Sequence, residues 1–184
     1  MTTESRLMSA EALLELPKGQ LRRELIRGEL KEMAPAGHRH GHIAHEIALS
    51  LGSHVKATKP GRVYAAETGF KLESNPDTVR TPDVEFVTAG RLENLPDTGY
   101  FPGPPDLAIE IVSPNDRHSD VEEKLEMWLF YGVKMVVTIN PQTRTATVYR
   151  SLDSIRMMRE DGVLEGEEVV PGWALPLAEV FGEA

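Results

Sequence analysis

Apolar residues recur along this chain with two different periods, and the changes of period divide it into elements. A first helical turn pair is expected over 10–16, with Ser9 placed to cap it and Pro17 and Gly19 placed to end it. ELIRGELKEM reads as two short strands around a tight Arg27-Gly28 turn, a β-hairpin. After the loop APAGHRHG, Ile43, Ile47 and Leu51 form one stripe with Ala44, Ala48 and Val55 beside it, which predicts a helix over 41–57. Beyond Lys59-Pro60-Gly61 the pattern shortens to strands over 62–66, 69–72 and 83–87, separated by turn residues such as Asn75-Pro76-Asp77. The Pro/Gly-rich stretch LPDTGYFPGPPD leads into a continuous apolar run over 107–112, the kind of strand that is buried on both faces. Ser113-Pro114-Asn115 ends it. Ser119 and Glu122 then make a capping box for a helix that Gly132 stops. MVVTI is a second buried strand, Thr147-Val148-Tyr149 centres another, and a short hairpin region with PGW precedes the apolar segment LAEVF.

Together these predict a strand–helix–strand unit inside a mixed β-sheet flanked by helices: one α/β domain over 1–184, with 1–20 as an N-terminal helical extension. The length of 184 residues agrees with one domain. The chain has no cysteine, which excludes disulfides, thiolate metal sites and a cysteine nucleophile, and suits a reducing cytoplasm. No apolar run approaches the roughly 20 residues of a membrane span, and the first residues lack the basic-then-apolar order of a signal peptide. The expectation is a cytoplasmic protein with no membrane partner. A net charge of −9 argues against a protein that coats nucleic acid by charge alone. The distribution says more than the total. The first 62 residues carry ten Lys and Arg against seven Asp and Glu, and the remainder ten against twenty-two. Lys18, Arg22, Arg23, Arg27, Lys56, Lys59 and Arg62 are therefore expected to form a phosphate-facing edge on an acidic body, or else an ordinary solvated surface.

The chemistry rests on acids in strands. Asp83 opens the strand of TPDVEF directly after a proline, and Glu110 stands in the middle of PPDLAIEIVSP between Ile109 and Ile111. A carboxylate in a buried strand is costly unless it is neutralised or coordinates a metal. Magnesium takes oxygen ligands, usually one or two carboxylates, and keeps water and substrate phosphate for the rest of its shell. Such an ion lowers the pKa of a water and neutralises charge on a phosphodiester. Asp83 and Glu110 are accordingly the candidate magnesium ligands, with manganese able to substitute. Glu85 shares the Asp83 strand face as a reserve ligand, and Asp106 shares the Glu110 face at the end of its loop. A buried glutamate satisfied by arginine or backbone groups is the plainer reading of Glu110.

RTPDVEFV, PPDLAIEIVSPNDR, EKLEMWLFYGVK, VVTINP and VPGW, in this order and spacing, resemble the Uma family of restriction-like endonucleases, part of the PD-(D/E)XK nuclease superfamily. ELIRGELKEMAPAGHRHGHI resembles the N-terminal pattern of that family. The resemblance runs from about Glu24 to Phe181. It implies a restriction-endonuclease-like core, magnesium dependence, a DNA substrate, Asp83 and Glu110 as metal ligands, and Glu24 as a third carboxylate. His40 matches a recurrent histidine of the family and becomes a substrate contact, together with Arg22 and Arg23 from the basic segment. The superfamily places a lysine two residues after the second acid, where this chain has Val112. Lys124, on the following helix at the border of its apolar stripe, is the natural replacement, against a snorkelling lysine with no catalytic part.

Three readings follow. The first is a magnesium-dependent endonuclease that hydrolyses DNA with a metal-activated water, helped by Lys124 and acting as a homodimer, since two sites cut a duplex most easily. The second is a catalytically inactive nuclease-fold module that binds nucleic acid or a protein partner. The third is a histidine-based metalloprotein built on His38, His40, His42 and His45, four histidines within eight positions.

Overall fold

The computed structural model describes residues 7–17, 19, 21–65, 68–114 and 116–182. In chain order the elements are α1 (Ala10–Glu15), β1 (Arg22–Ile26), β2 (Glu29–Met33), α2 (His38–Thr58), β3 (Gly61–Ala65), β4 (Phe70–Glu73), β5 (Thr78–Arg80), β6 (Val84–Thr88), β7 (Phe101–Pro102), β8 (Leu107–Ile111), α3 (His118–Phe130), β9 (Met135–Asn140), β10 (Thr145–Ser151), β11 (Ser154–Arg159), β12 (Val163–Glu165), β13 (Ala174–Pro176) and α4 (Leu177–Phe181).

The strands form two main sheets where the hydrophobic pattern predicts one. A six-stranded sheet has the order β11-β10-β9-β8-β6-β3, and a five-stranded sheet the order β2-β1-β5-β4-β7. Within the larger, β8 and β9 run parallel, joined by α3, while β6 is antiparallel to β8. That is the expected strand–helix–strand unit in a mixed sheet. The β1–β2 hairpin also forms as expected, because Arg27 (φ 49°) and Gly28 (φ 80°) both take the left-handed conformation such a two-residue turn needs. The short β5 and β7 escape the periodicity. Three residues and two residues are too few to show an alternation, and β7 lies inside the Pro/Gly-rich stretch read as loop.

Each face of the larger sheet has its own cover. On one, Ile43, Ile47, Leu51 and Val55 of α2 meet Val84, Phe86, Leu107, Ile109, Ile111 and Val137, and the tail closes the same core with Leu175, Leu177 and Phe181. On the other, Leu125 and Trp128 of α3 pack on Ala108 and Val136. Gly132 (φ 89°) ends α3 by turning the chain so that the Val133 N–H donates to the Trp128 carbonyl at 3.0 Å. Ala10 and Leu13 of α1 sit against Leu25 and Val79 of the smaller sheet, and the Ala10 N–H donates to Asp77 Oδ2 at 2.7 Å, so this segment is packed into the fold.

Two helix starts differ from expectation. α2 begins at His38, three residues early, since Gly37 supplies the extended cap residue and the histidines continue the helix. α3 begins at His118 with Arg117 as cap residue and no side-chain cap bond; Ser119 Oγ bonds Asp120 instead, so the capping box does not form. The expected strand residue Ala66 lies outside the described residues. Among the described residues no helix is long and apolar enough to cross a membrane.

Candidate active site

Alternation along β8 sends Leu107, Ile109 and Ile111 into the α2 core and leaves Ala108 and Glu110 facing α3. Glu110 is thus the one carboxylate of the strand turned toward a helix that brings it partners. The Lys124 ammonium donates to Glu110 Oε2 at 2.6 Å and the Trp128 indole N–H donates to Oε1 at 2.8 Å. Lys124 and Trp128 are four apart on α3, so one helical face presents both. The Glu110 side chain keeps 12% of its surface and Lys124 keeps 22%, an opening to solvent beside the pair.

Asp83 stands just before β6 and is fastened to β8 by the Ile111 N–H, which donates to Oδ2 at 2.8 Å. Arg22 of β1 reaches Oδ1 at 3.3 Å, and His40 Nε2 of α2 lies 3.1 Å from Oδ2. Glu24 arrives from the smaller sheet. The Thr81 N–H and hydroxyl donate to its Oε1 at 2.9 and 3.0 Å, and Arg80 pairs with Oε2 at 2.9 Å. The site therefore lies in the crease between the two sheets, with Thr81 and Pro82 joining them, and is framed by α3 and the start of α2.

These charges act on one another. Burial pushes the Glu110 carboxyl upward and the nearby Asp83 and Glu24 charges push the same way, against Lys124. Burial would lift Asp83 too, but His40, Lys124 and the Ile111 N–H hold it below the ordinary carboxylate range. Glu24 is likewise kept low, burial being outweighed by Lys124, Arg80 and Thr81. Burial would lower Lys124, yet Glu110, Glu24 and Asp83 together raise it, so it stays an ammonium. Glu85 differs from all of these. It is fully buried, its oxygens have no hydrogen-bond partner among the described residues, and burial with the Glu110 and Asp83 charges pushes it up to about 9.

Of the residues expected from sequence, the structure gathers Arg22, Glu24, His40, Asp83, Glu110 and Lys124 into one place. Arg23 is not among them. It alternates to the other face of β1, where Glu32 at 2.9 Å and the Pro17 carbonyl at 2.7 Å hold its guanidinium. The basic residues do not form one edge either. Lys56 lies sixteen residues along α2 from His40, about 24 Å at 1.5 Å per residue, and borders a shallow hollow with Lys59 and Arg62. Lys18 lies outside the described residues. The histidines are strung along the start of α2, with His42 paired to Glu46 at 3.8 Å. Among the described residues no group of three histidine or acidic side chains is placed to hold a metal ion, so the geometry lends the histidine-based reading no support. Sequence reasoning missed Arg80 and Thr81, whose place beside Asp83 was the available signal, and the part played by Trp128. Trp128 is fully buried, but its N–H end belongs to the site.

The crease thus brings acids from both sheets around one lysine of α3. The chain belongs to the Uma2 family, described as "Putative restriction endonuclease", which matches residues 10–178. A crystal structure described as a putative nuclease belonging to DUF820 from Anabaena variabilis has the same fold. Its TM-score is 0.78 at 23% identity, over 95% of this chain and 97% of that one. No curated protein matches the sequence.

Proposed function

We propose that this chain is a magnesium-dependent endonuclease that hydrolyses phosphodiester bonds in DNA. The observation that carries the reading is the Lys124 ammonium, 2.6 Å from Glu110 and raised by three acids from three strands or strand ends. The donor set is all carboxylate, which is what a hard cation asks for, and beside it sits Glu85, fully buried and without a hydrogen-bond partner among the described residues. These residues fit magnesium, with Asp83 and Glu110 as the side chains that would hold it and manganese as a substitute. When bound, the ion supplies a Lewis acid for the phosphate and a lowered pKa for water.

The protein's own residues do the rest. Lys124 keeps a fixed positive charge beside the place where negative charge grows on the phosphate. Arg22 and His40 stand at the rim of the crease and orient a phosphate through N–H donors, both already directed at Asp83. Glu24 acts as a positioning residue: by holding Arg80 and Thr81 it sets where Asp83 begins the next strand. Both Glu110 oxygens already accept a hydrogen bond, so a cation held there would share the carboxylate with Lys124 and Trp128. The same engagement, with Val112 at the usual lysine position, favours a second reading in which the fold binds nucleic acid or a protein without cutting.

The test is Lys124→Met, which keeps most of the stem and removes the charge. Folding and manganese binding are expected to persist, while cleavage of plasmid DNA falls about 10²-fold or more, the usual loss for one electrostatic stabiliser. Parental cleavage by Lys124→Met would defeat the role given to the lysine. Absence of magnesium-dependent cleavage in the parent would leave the binding reading.

A further inference from the structure

Alternation along β5 places Val79 in the α1 core and turns Arg80 the other way, toward the crease. Leu25 of β1 stands opposite Val79, so Glu24 stands opposite Arg80. The Arg80 side chain keeps only 9% of its surface, and its Nε lies 2.9 Å from Glu24 Oε2. That contact is an ion pair without the direction of a hydrogen bond. No described residue accepts a hydrogen bond from the two Nη groups of Arg80.

A guanidinium carries five N–H donors in a flat fork and keeps its charge, so burying it with most of its donors unmet is costly. Glu24 does not grip this fork with both oxygens, because its Oε1 is taken by the Thr81 N–H and hydroxyl. The guanidinium is thus steadied at Nε and uncommitted at its Nη edge. Arg80 is also near enough to press on the Lys124 charge, so two fixed cations serve the same crease. The chemistry that meets a cationic fork is an anion with paired oxygens, and a nucleic-acid backbone offers one at every phosphate.

We propose that Arg80 is a phosphate-binding residue of the crease, its Nη groups taking the two non-bridging oxygens of a backbone phosphate. The assignment rests on the nuclease reading above and adds to it a substrate contact from the smaller sheet. Substrate then touches the smaller sheet through Arg80 and the larger through α3. Glu24, fixed by Thr81, sets the direction of the fork.

The full-length chain is titrated with a short fluorescent DNA duplex at several salt concentrations, with calcium in place of magnesium so that binding is read without cutting. Arg80→Lys keeps the charge and the pairing to Glu24 but has no fork. It is expected to weaken binding about tenfold, with the slope of log affinity against log salt unchanged. Arg80→Gln should weaken binding at least as much and lower that slope by about one. Should Arg80→Gln fail to fold, Arg80→Lys decides together with inorganic phosphate. Phosphate should raise the parent's melting temperature more than chloride does at equal ionic strength, and that advantage should vanish in Arg80→Lys. If Arg80→Lys binds DNA and phosphate as the parent does, Arg80 only balances Glu24 and the proposal is overturned, while magnesium-dependent cleavage by the parent still upholds the nuclease reading. If the variants lose DNA binding and the parent never cuts, the phosphate contact stands and the binding reading replaces the nuclease one. If the parent binds no nucleic acid, both fall together.

Discussion

The two faces of the β6–β8 pair are built by the same backbone and could hardly differ more. Toward α2, Val84, Phe86, Leu107 and Ile109 are fully buried among aliphatic neighbours. Toward α3 and the smaller sheet, Asp83, Glu85, Asp106 and Glu110 alternate with them, so one face carries four acids and the other carries none. The lesson is a division of labour. The dry face supplies the folding free energy that lets the acidic face be held in an arrangement that costs stability. The acidic face is itself divided. Asp106, two positions before Ala108, is structural: it accepts the Thr88 N–H at 2.9 Å and pairs with Arg91 at 3.2 Å and Lys134 at 2.8 Å. Glu110, two positions further on, faces the crease.

The comparison breaks most visibly on the dry face. Ile109→Ala should lower the stability measured by urea unfolding by about 2–5 kcal/mol, as expected for emptying a filled core position. A loss well below that range would mean the α2 face is loosely packed and the division overstated.

On the acidic face, Trp128→Phe retains a ring but deletes the N–H that Glu110 Oε1 accepts. Leaving that acceptor unmet should cost about 1–3 kcal/mol in the same measurement. If stability is unchanged, Trp128 serves only as core and the site does not extend into α3 through it.

Asp106 should show itself through pH. Burial pushes its carboxyl up, but Lys134, the Thr88 N–H and Arg91 outweigh this and hold it below the ordinary range. A depressed folded-state value means its contribution is present above the unfolded value of about 3.9 and is lost as pH falls through and below it. Asp106→Asn should therefore cost about 1 kcal/mol at neutral pH, and its melting temperature should fall less than the parent's as the solution is acidified. Equal acid sensitivity in the two proteins would place that sensitivity in other carboxylates.

The smallest effects separate the two faces of β1. Arg22→Gln, in the crease, should weaken DNA binding and reduce the slope of log affinity against log salt by about one. Arg23→Gln, tied to Glu32 on the other face, should leave both within error. Equal effects of the two changes would move the DNA path away from the crease.

Most of the elements were legible because long amphipathic or continuously apolar segments write their period into the chain. The 43-47-51 stripe of α2 and the runs of β8 and β9 are of this kind. Glu110 was legible for the same reason in reverse, as a charge where the pattern demands an apolar residue. Lys124 was singled out by the departure at Val112 and its place on the helix border, and the fold turns it toward Glu110. Arg23 was misplaced because a basic segment shows charge but not which side of a strand each residue takes. The capping box failed because its spacing also suits a plain surface turn, and here Ser119 bonded its neighbour.

What the sequence determined by itself is the α/β alternation, the β8–α3–β9 strand–helix–strand unit and the presence of acids within otherwise apolar strands, because these depend on local periods and on single anomalies within them. Only the tertiary structure decided that the strands divide into two sheets, that Arg22 crosses from one to meet Asp83 at the start of the other, and that Glu85 has no hydrogen-bond partner among the described residues. Those outcomes depend on contacts between residues sixty or so apart in the chain, such as Arg22 with Asp83. Local periodicity carries no record of such pairs, which arise only when the two sheets pack and enclose the crease between them.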